Sequence, residues 1–211
     1  MKVTIVYDNE VKKKELKPGW GFSCLVETES ASILFDTGAD SPTLLHNMRE
    51  LDIDPKNIGT IVISHAHGDH TGGLSGILKM NENVEVYIPN SFGKAPSAKV
   101  TRVKQAAQIS ENVFSTGELE GIEQSLAVKT DKGILVIVGC SHPGVGSILK
   151  AALGFGNLYG IVGGFHGFRD FNSLSGLALI CPCHCTQYKE QIRALFPERT
   201  LECGAGMVIE L

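Results

Sequence analysis

The chain has 211 residues, 43% of them hydrophobic and 20% charged, with a formal net charge of −4. That length supports a substantial core, and 24 glycines beside 8 prolines exclude a collagen-like or Pro-rich chain. A balance of 19 basic against 23 acidic residues excludes a global pull toward nucleic acid.

In chain order, Val3–Tyr7, Phe22–Glu27 and Ile33–Phe35 read as strands, the last stopping at Asp36-Thr37-Gly38. A helix follows, with Ser41 as N-cap, Pro42 at its first position, and Leu44, Leu45 and Met48 on one face. The strand Ile58–Ile63 runs into a polar turn, Ser64–His70, and a helix through Leu74, Ile77 and Leu78. Val84–Ile88 is a strand, and residues 90–110 read as a loop and a helix. Ile122–Lys129 and Ile134–Val138 form a hairpin across Thr130–Gly133. Strand and helix then alternate: helix near Val145–Leu153, strand Leu158–Val162, strand Leu177–Ile180, helix Gln187–Leu195, strand Met207–Ile209. A strand-rich first half before an alternating second half favours stacked sheets flanked by helices, in one domain over 1–211. No apolar run approaches the roughly 18–20 residues of a membrane-spanning helix. Met1–Asn9 is too short and polar for a signal peptide. The expectation is a cytoplasmic protein without membrane or nucleic-acid partners, its oligomeric state open and its six cysteines reduced.

The chemistry concentrates in Ser64-His65-Ala66-His67-Gly68-Asp69-His70, three imidazoles and a carboxylate directly after an apolar strand. Imidazole and carboxylate ligate zinc and similar divalent ions. An extended backbone puts His65 and His67 on one side, and Gly68 lets Asp69 and His70 swing toward a second position. His142, His166 and His184 each follow an apolar strand, which groups them on one rim of a sheet, whereas His46 lies on the polar face of a helix. Period-two spacing faces Cys181, Cys183 and Cys185 away from His184, as buried thiols, and Cys24 and Cys203 read as core. Between Glu85 and Glu111 the only charges are Lys94, Lys99, Arg102 and Lys104, either an anion-facing patch or a solvated surface.

The His-x-His-x-Asp-His segment, with Phe35-Asp36-Thr37-Gly38 upstream, resembles the metallo-β-lactamase superfamily. Gly21-Phe22-Ser23, Gly139-Cys140-Ser141-His142-Pro143-Gly144, Gly163-Gly164-Phe165-His166 and Pro182-Cys183-His184-Cys185-Thr186 are similar to the branch containing the dihydropterin-methyl-(ribofuranosyl)aminobenzene-phosphate synthases. The resemblance implies an α+β fold, a four-layer αββα sandwich of two mixed sheets flanked by helices, with a dinuclear metal centre at the sheet edges. It implies His65, His67 and His142 on one ion and Asp69, His70 and His184 on the other, with Asp36 orienting a ligand histidine. Asp69 and His166 are the catalytic candidates, His166 as proton donor, substrate contact or extra ligand. Two departures stand out. No histidine lies between His70 and His142, and Cys140 follows Gly139 where many members carry a bridging Asp, so Cys140 is a further candidate ligand. Trp20, on the loop that overhangs the site in the superfamily, and Lys94 and Arg102 are candidate substrate contacts.

The expected cofactors are two divalent ions, zinc foremost, with manganese or iron as alternatives. The leading expectation is a hydrolase acting on a small, anionic, phosphorylated molecule through a bridging water whose pKa falls from 15.7 toward about 7. The alternative is a transferase condensing a pterin diphosphate with an arylamine, and a further one is a non-catalytic metal-binding or redox-linked protein.

Overall fold

A computed structural model describes residues 1–211. Seven strands form the first sheet, in the order β13-β1-β2-β3-β4-β5-β6, and six form the second, in the order β12-β11-β10-β9-β8-β7. The strands of the first are β1 (Lys2–Tyr7), β2 (Ser23–Glu27), β3 (Ser32–Phe35), β4 (Thr60–Val62), β5 (Glu85–Pro89), β6 (Lys99–Val103) and β13 (Val208–Glu210). Those of the second are β7 (Ala107–Ser110), β8 (Val113–Ser115), β9 (Leu126–Thr130), β10 (Gly133–Val138), β11 (Leu158–Gly164) and β12 (Leu179–Cys183). Both sheets are mixed: β3 to β6 run parallel, as do β10 to β12, while the hairpin strands are antiparallel.

Alternation along the strands divides their side chains between two faces. One face of each sheet meets the other in a dry core that includes Ile5, Phe22, Phe35, Val62, Leu126, Leu135, Ile137 and Val162. Each such side chain contributes on the order of 1.5–3 kcal/mol when fully buried. The outer face of the first sheet, with Leu34, Ile61 and Val86, packs against α1 (Ser41–Glu50) and α3 (Leu74–Met80). The outer face of the second, with Val136, Val138 and Ile161, packs against α4 (Val145–Ala152) and α5 (Lys189–Leu195). The result is the expected αββα sandwich. No helix is long and apolar enough to cross a membrane.

Four local expectations change. The cap of α1 is Asp40, whose carboxylate accepts from Thr43 N at 2.7 Å, and Ser41 is the first helical residue. Residues 99–110 form strands β6 and β7; the outward positions of β6 are exposed at the sheet edge, so its sequence carries no apolar alternation. The strand after Ile122 begins only at Leu126, because Glu123, Gln124 and Ser125 are buried polar residues, Glu123 turned to the amides of residues 139–142 and Gln124 to the carbonyl of Ile63. Cys183 and Cys203 are joined as a disulfide rather than standing free, since the segment at Thr200 lies parallel beside β12, where Leu201 N donates to Ile180 O at 2.8 Å.

Candidate metal centre

Five strand ends meet on one rim. Asp36 follows β3, Ser64–His70 follow β4, Gly139–His142 follow β10, His166 follows β11 and His184 follows β12. Asp36, Ser141, His166 and His184 all have left-handed backbones, with φ of 56°, 59°, 46° and 43°. Such non-glycine conformations cost on the order of 1–3 kcal/mol and persist where the surroundings over-determine them. Here they turn the chain sharply as it leaves the strands, aiming Asp36 and His184 at the rim.

His65, His67 and His142 come together: His65 Nε2 lies 3.0 Å from His67 Nδ1, and the His142 ring is 4.6 Å and 4.9 Å from theirs. Asp69, His70 and His184 form a second set, with Asp69 Oδ2 at 3.2 Å from His184 Nε2 and 3.9 Å from His70 Nε2. Between the sets stands the buried Cys140, its Sγ 3.2 Å from His70 Nε2. Asp69 and His70 ride on the short helix α2 (Gly68–Thr71), which follows directly on His67.

The nitrogens turned away from the centre are held in place. His70 Nδ1 is 2.6 Å from Asp36 Oδ2, His142 Nδ1 is 2.9 Å from Glu123 Oε2, and His184 Nδ1 is 2.9 Å from Asn9 Oδ1. His65 Nδ1 meets Ser64 Oγ at 2.8 Å, and that hydroxyl donates to Asp36 Oδ2 at 2.7 Å. In the neutral rings, Nδ1–H donating outward at these four positions leaves each Nε2 lone pair facing inward, the arrangement metal-ligating histidines require. Burial and the neighbouring His70 push His65 down to about 2, and burial and His70 push His184 to about 4. Both rings are therefore neutral near pH 7 and free to ligate. Burial also disfavours charge on His70, but Asp36 outweighs it and raises the ring's pKa; the hydrogen bond to Glu123 raises that of His142. The donor set, its tautomers and its paired groupings fit a metal centre.

Glu123, Asn9 and Asp8 neighbour the centre without belonging to any motif, and Ser64, the first residue of the histidine segment, supports His65. Glu123 Oε1 accepts from the backbone N–H of Gly139, Cys140 and Ser141, each at 3.0 Å, and Oε2 from that of His142, also at 3.0 Å. Burial opposes ionisation of this carboxylate, but the hydrogen bonds and His65 and His142 overcome it and hold the pKa at about 2. Successive amides of one turn thus wrap an anion. Gly139 is required there because a Cβ would run into the Ser64 side chain. Asp8 accepts from His184 N at 2.9 Å and supports the left-handed turn.

The other candidates divide. His166 is exposed on the rim, its ring 5.5 Å from His142 and outside both sets. Trp20 is 64% exposed and lies edge-on to His184, with ring centroids 4.9 Å apart. Its loop is tied down by the buried Asn47, which donates to Val6 O and Lys17 O at 2.9 Å and accepts from Lys17 N at 2.8 Å. Lys94 lines a cavity of about 810 Å³ together with Thr71, Leu74, Leu78, Lys79 and Phe92. Arg102 instead donates to the carbonyls of Asn90, Phe92 and Gly93, stapling the loop that bears Lys94. Lys99 pairs with Glu85 at 3.4 Å, which leaves less of a free basic stretch than the sequence suggests. His46 lies outside the centre, against Glu15 O. Cys185 faces the site, its sulfur 3.3 Å from that of Cys140, because the left-handed turn at His184 breaks the expected alternation.

A family model of the metallo-β-lactamase superfamily matches residues 17–144. The 7,8-dihydropterin-6-methyl-4-(β-D-ribofuranosyl)-aminobenzene-5'-phosphate synthase of Methanocaldococcus jannaschii is 29% identical, across 92% of this chain and 91% of its own. That alignment spans 268 positions against 211 residues here, so the relative carries insertions. An uncharacterized protein of the same organism, MJ0448, is 27% identical over 89% of this chain and 91% of its own. Among solved structures, a metal-dependent hydrolase of the β-lactamase superfamily superposes with a TM-score of 0.83 at 27% identity, over 100% of this chain and 99% of that one. The metallo-β-lactamase fold protein YhfI from Bacillus subtilis, 12% identical with a TM-score of 0.71 over 99% of each chain, shares the scaffold. The sequence places hydrolysis first; the named synthase matching along nearly the whole chain overturns that order in favour of a bond-forming reaction. The matched family model, together with the sandwich and the histidines gathered at its strand ends, establishes that this chain belongs to the metallo-β-lactamase superfamily.

Proposed function

We propose that the chain is a metal-dependent transferase that joins a dihydropterin-methyl diphosphate to a phosphorylated arylamine. The observation that carries this reading is the likeness to the synthase over 92% of the chain, combined with two adjacent ligand sets on one rim. His65, His67 and His142 would hold one divalent ion, zinc foremost, and Asp69, His70 and His184 a second. When bound they supply positive charge to the departing diphosphate.

The chain's own residues do the remainder. Trp20, exposed beside His184, offers a flat apolar face on which a pterin ring stacks. The cavity beside α2 offers apolar walls at Leu74, Leu78 and Phe92 for the arene, and the ammonium groups of Lys79 and Lys94 for its phosphate. The amine nitrogen attacks the methylene carbon; the C–N bond forms as the C–O bond to diphosphate breaks, and the nitrogen gives up a proton. His166, exposed on the rim, is the general base for that proton. Holding both reactants in line is itself a large part of the acceleration.

The test incubates metal-loaded protein with the dihydropterin-methyl diphosphate, with and without the aminobenzene ribofuranosyl phosphate, and follows products by mass spectrometry. Coupled product and diphosphate in equal amounts, abolished by His67→Ala, support the reading. Diphosphate release at an unchanged rate without the amine overturns it.

A further inference from the structure

Cys140 is the one donor that belongs to both ligand groupings. Its sulfur groups with His65 and His142 on one side and with His70 and His184 on the other, the donor atoms of each trio lying within 4.8 Å of one another. The side chain is 4% exposed and Sγ is 3.2 Å from His70 Nε2. No carboxylate takes this place. Asp69 leans toward His184, and both oxygens of Glu123 are occupied by the backbone amides of residues 139–142. The same turn holds the Cys140 backbone, whose N–H donates to Glu123 Oε1 at 3.0 Å.

We propose that Cys140 supplies a thiolate shared by the two metal positions, with Cys185 donating a hydrogen bond to it; this rests on the metal centre proposed above. A thiolate carries the same single negative charge as a carboxylate and has lone pairs enough to contact two ions. On binding, metal–sulfur bonds form and the thiol proton leaves to solvent, with no change of oxidation state. Cys185 Sγ lies 3.3 Å from Cys140 Sγ and is half-buried, so its S–H reaches the shared sulfur from the solvent side. Gly164 makes that approach possible, since a Cβ there would come within 2.6 Å of the Cys185 sulfur. The consequence is selectivity: a sulfur at the shared position shifts the preference from hard oxygen-seeking ions such as magnesium and manganese toward zinc and its softer neighbours.

The test titrates the metal-free protein anaerobically with cobalt(II), recording bound metal and the near-ultraviolet thiolate-to-cobalt charge-transfer absorption. Wild type is expected to take up two ions per chain with that absorption present. Cys140→Ser and Cys140→Asp should keep the circular dichroism of the fold and still take up cobalt, Cys140→Asp more tightly, but without the absorption. Cys185→Ser should retain the band, shifted in energy. Two cobalt ions bound with no thiolate absorption overturn the shared sulfur while leaving the metal centre intact. An absorption that survives both Cys140 variants, or is lost only in Cys185→Ser, also overturns it. Failure to bind cobalt at all defeats both readings.

Discussion

Asp36 Oδ2 lies 2.6 Å from His70 Nδ1, with both side chains fully buried. The same oxygen accepts from Ser64 Oγ, which in turn meets His65 Nδ1, so one carboxylate orients a histidine in each ligand set. Losing such support typically costs about 10–100-fold in metal affinity. Asp36→Ala is therefore expected to weaken both positions by amounts in that range, whereas Ser64→Ala weakens only the one containing His65. Competition titrations with a chromophoric chelator separate the two outcomes.

Glu123 is ionised inside the protein down to about pH 2, against an ordinary value of 4.5. A carboxylate whose folded pKa is depressed contributes stability that is present above 4.5 and is lost as pH falls toward 2. Metal-free protein should therefore lose stability steeply across that window. Glu123→Gln places an amide where only an acceptor fits. It should cost about 1–3 kcal/mol at neutral pH and flatten the acid limb, as read by denaturant unfolding at stepped pH.

His70 and His142, whose carboxylate partners raise their pKa, must lose protons before they can ligate. Metal affinity should thus rise with pH above the ordinary histidine value of 6.5, and binding should release protons. Titrating metal into weakly buffered protein at two pH values measures this directly; binding with no proton release and no pH dependence would contradict the assigned ligands.

On the substrate side, Trp20→Ala and Lys94→Ala leave metal content unchanged in this account. Each should raise KM by about tenfold, the equivalent of about 1.4 kcal/mol: Trp20→Ala for the pterin substrate and Lys94→Ala for the phosphorylated amine. His166→Gln should instead lower kcat by about 100-fold with little change in KM. Steady-state kinetics with each substrate varied in turn distinguish these patterns.

The histidines of the rim were legible in the sequence because a polar ligand placed directly after an apolar strand leaves a mark in one dimension. His65, His142 and His184 all carry that mark, and so does the sandwich whose strands deliver them. Glu123 was not legible, since its partners are backbone amides 16–19 residues away and the turn they form has no side-chain signature. The edge strand β6 was hidden for the opposite reason: with its outward positions exposed, apolar alternation has no burial to report. Cys185 was misjudged because period-two reasoning holds only while the backbone stays extended, and it turns left-handed at His184. Disulfide pairing of Cys183 with Cys203 depended on a segment returning beside β12, which spacing alone does not encode.

The central claim is that two ligand sets on one rim hold two ions. Its most direct measurement is equilibrium zinc content per chain for the wild type, for His67→Ala in the first set and for His184→Ala in the second. Two ions in the wild type and about one in each variant is the predicted result. Zinc content of zero in the wild type, or two ions retained in both variants, would contradict it.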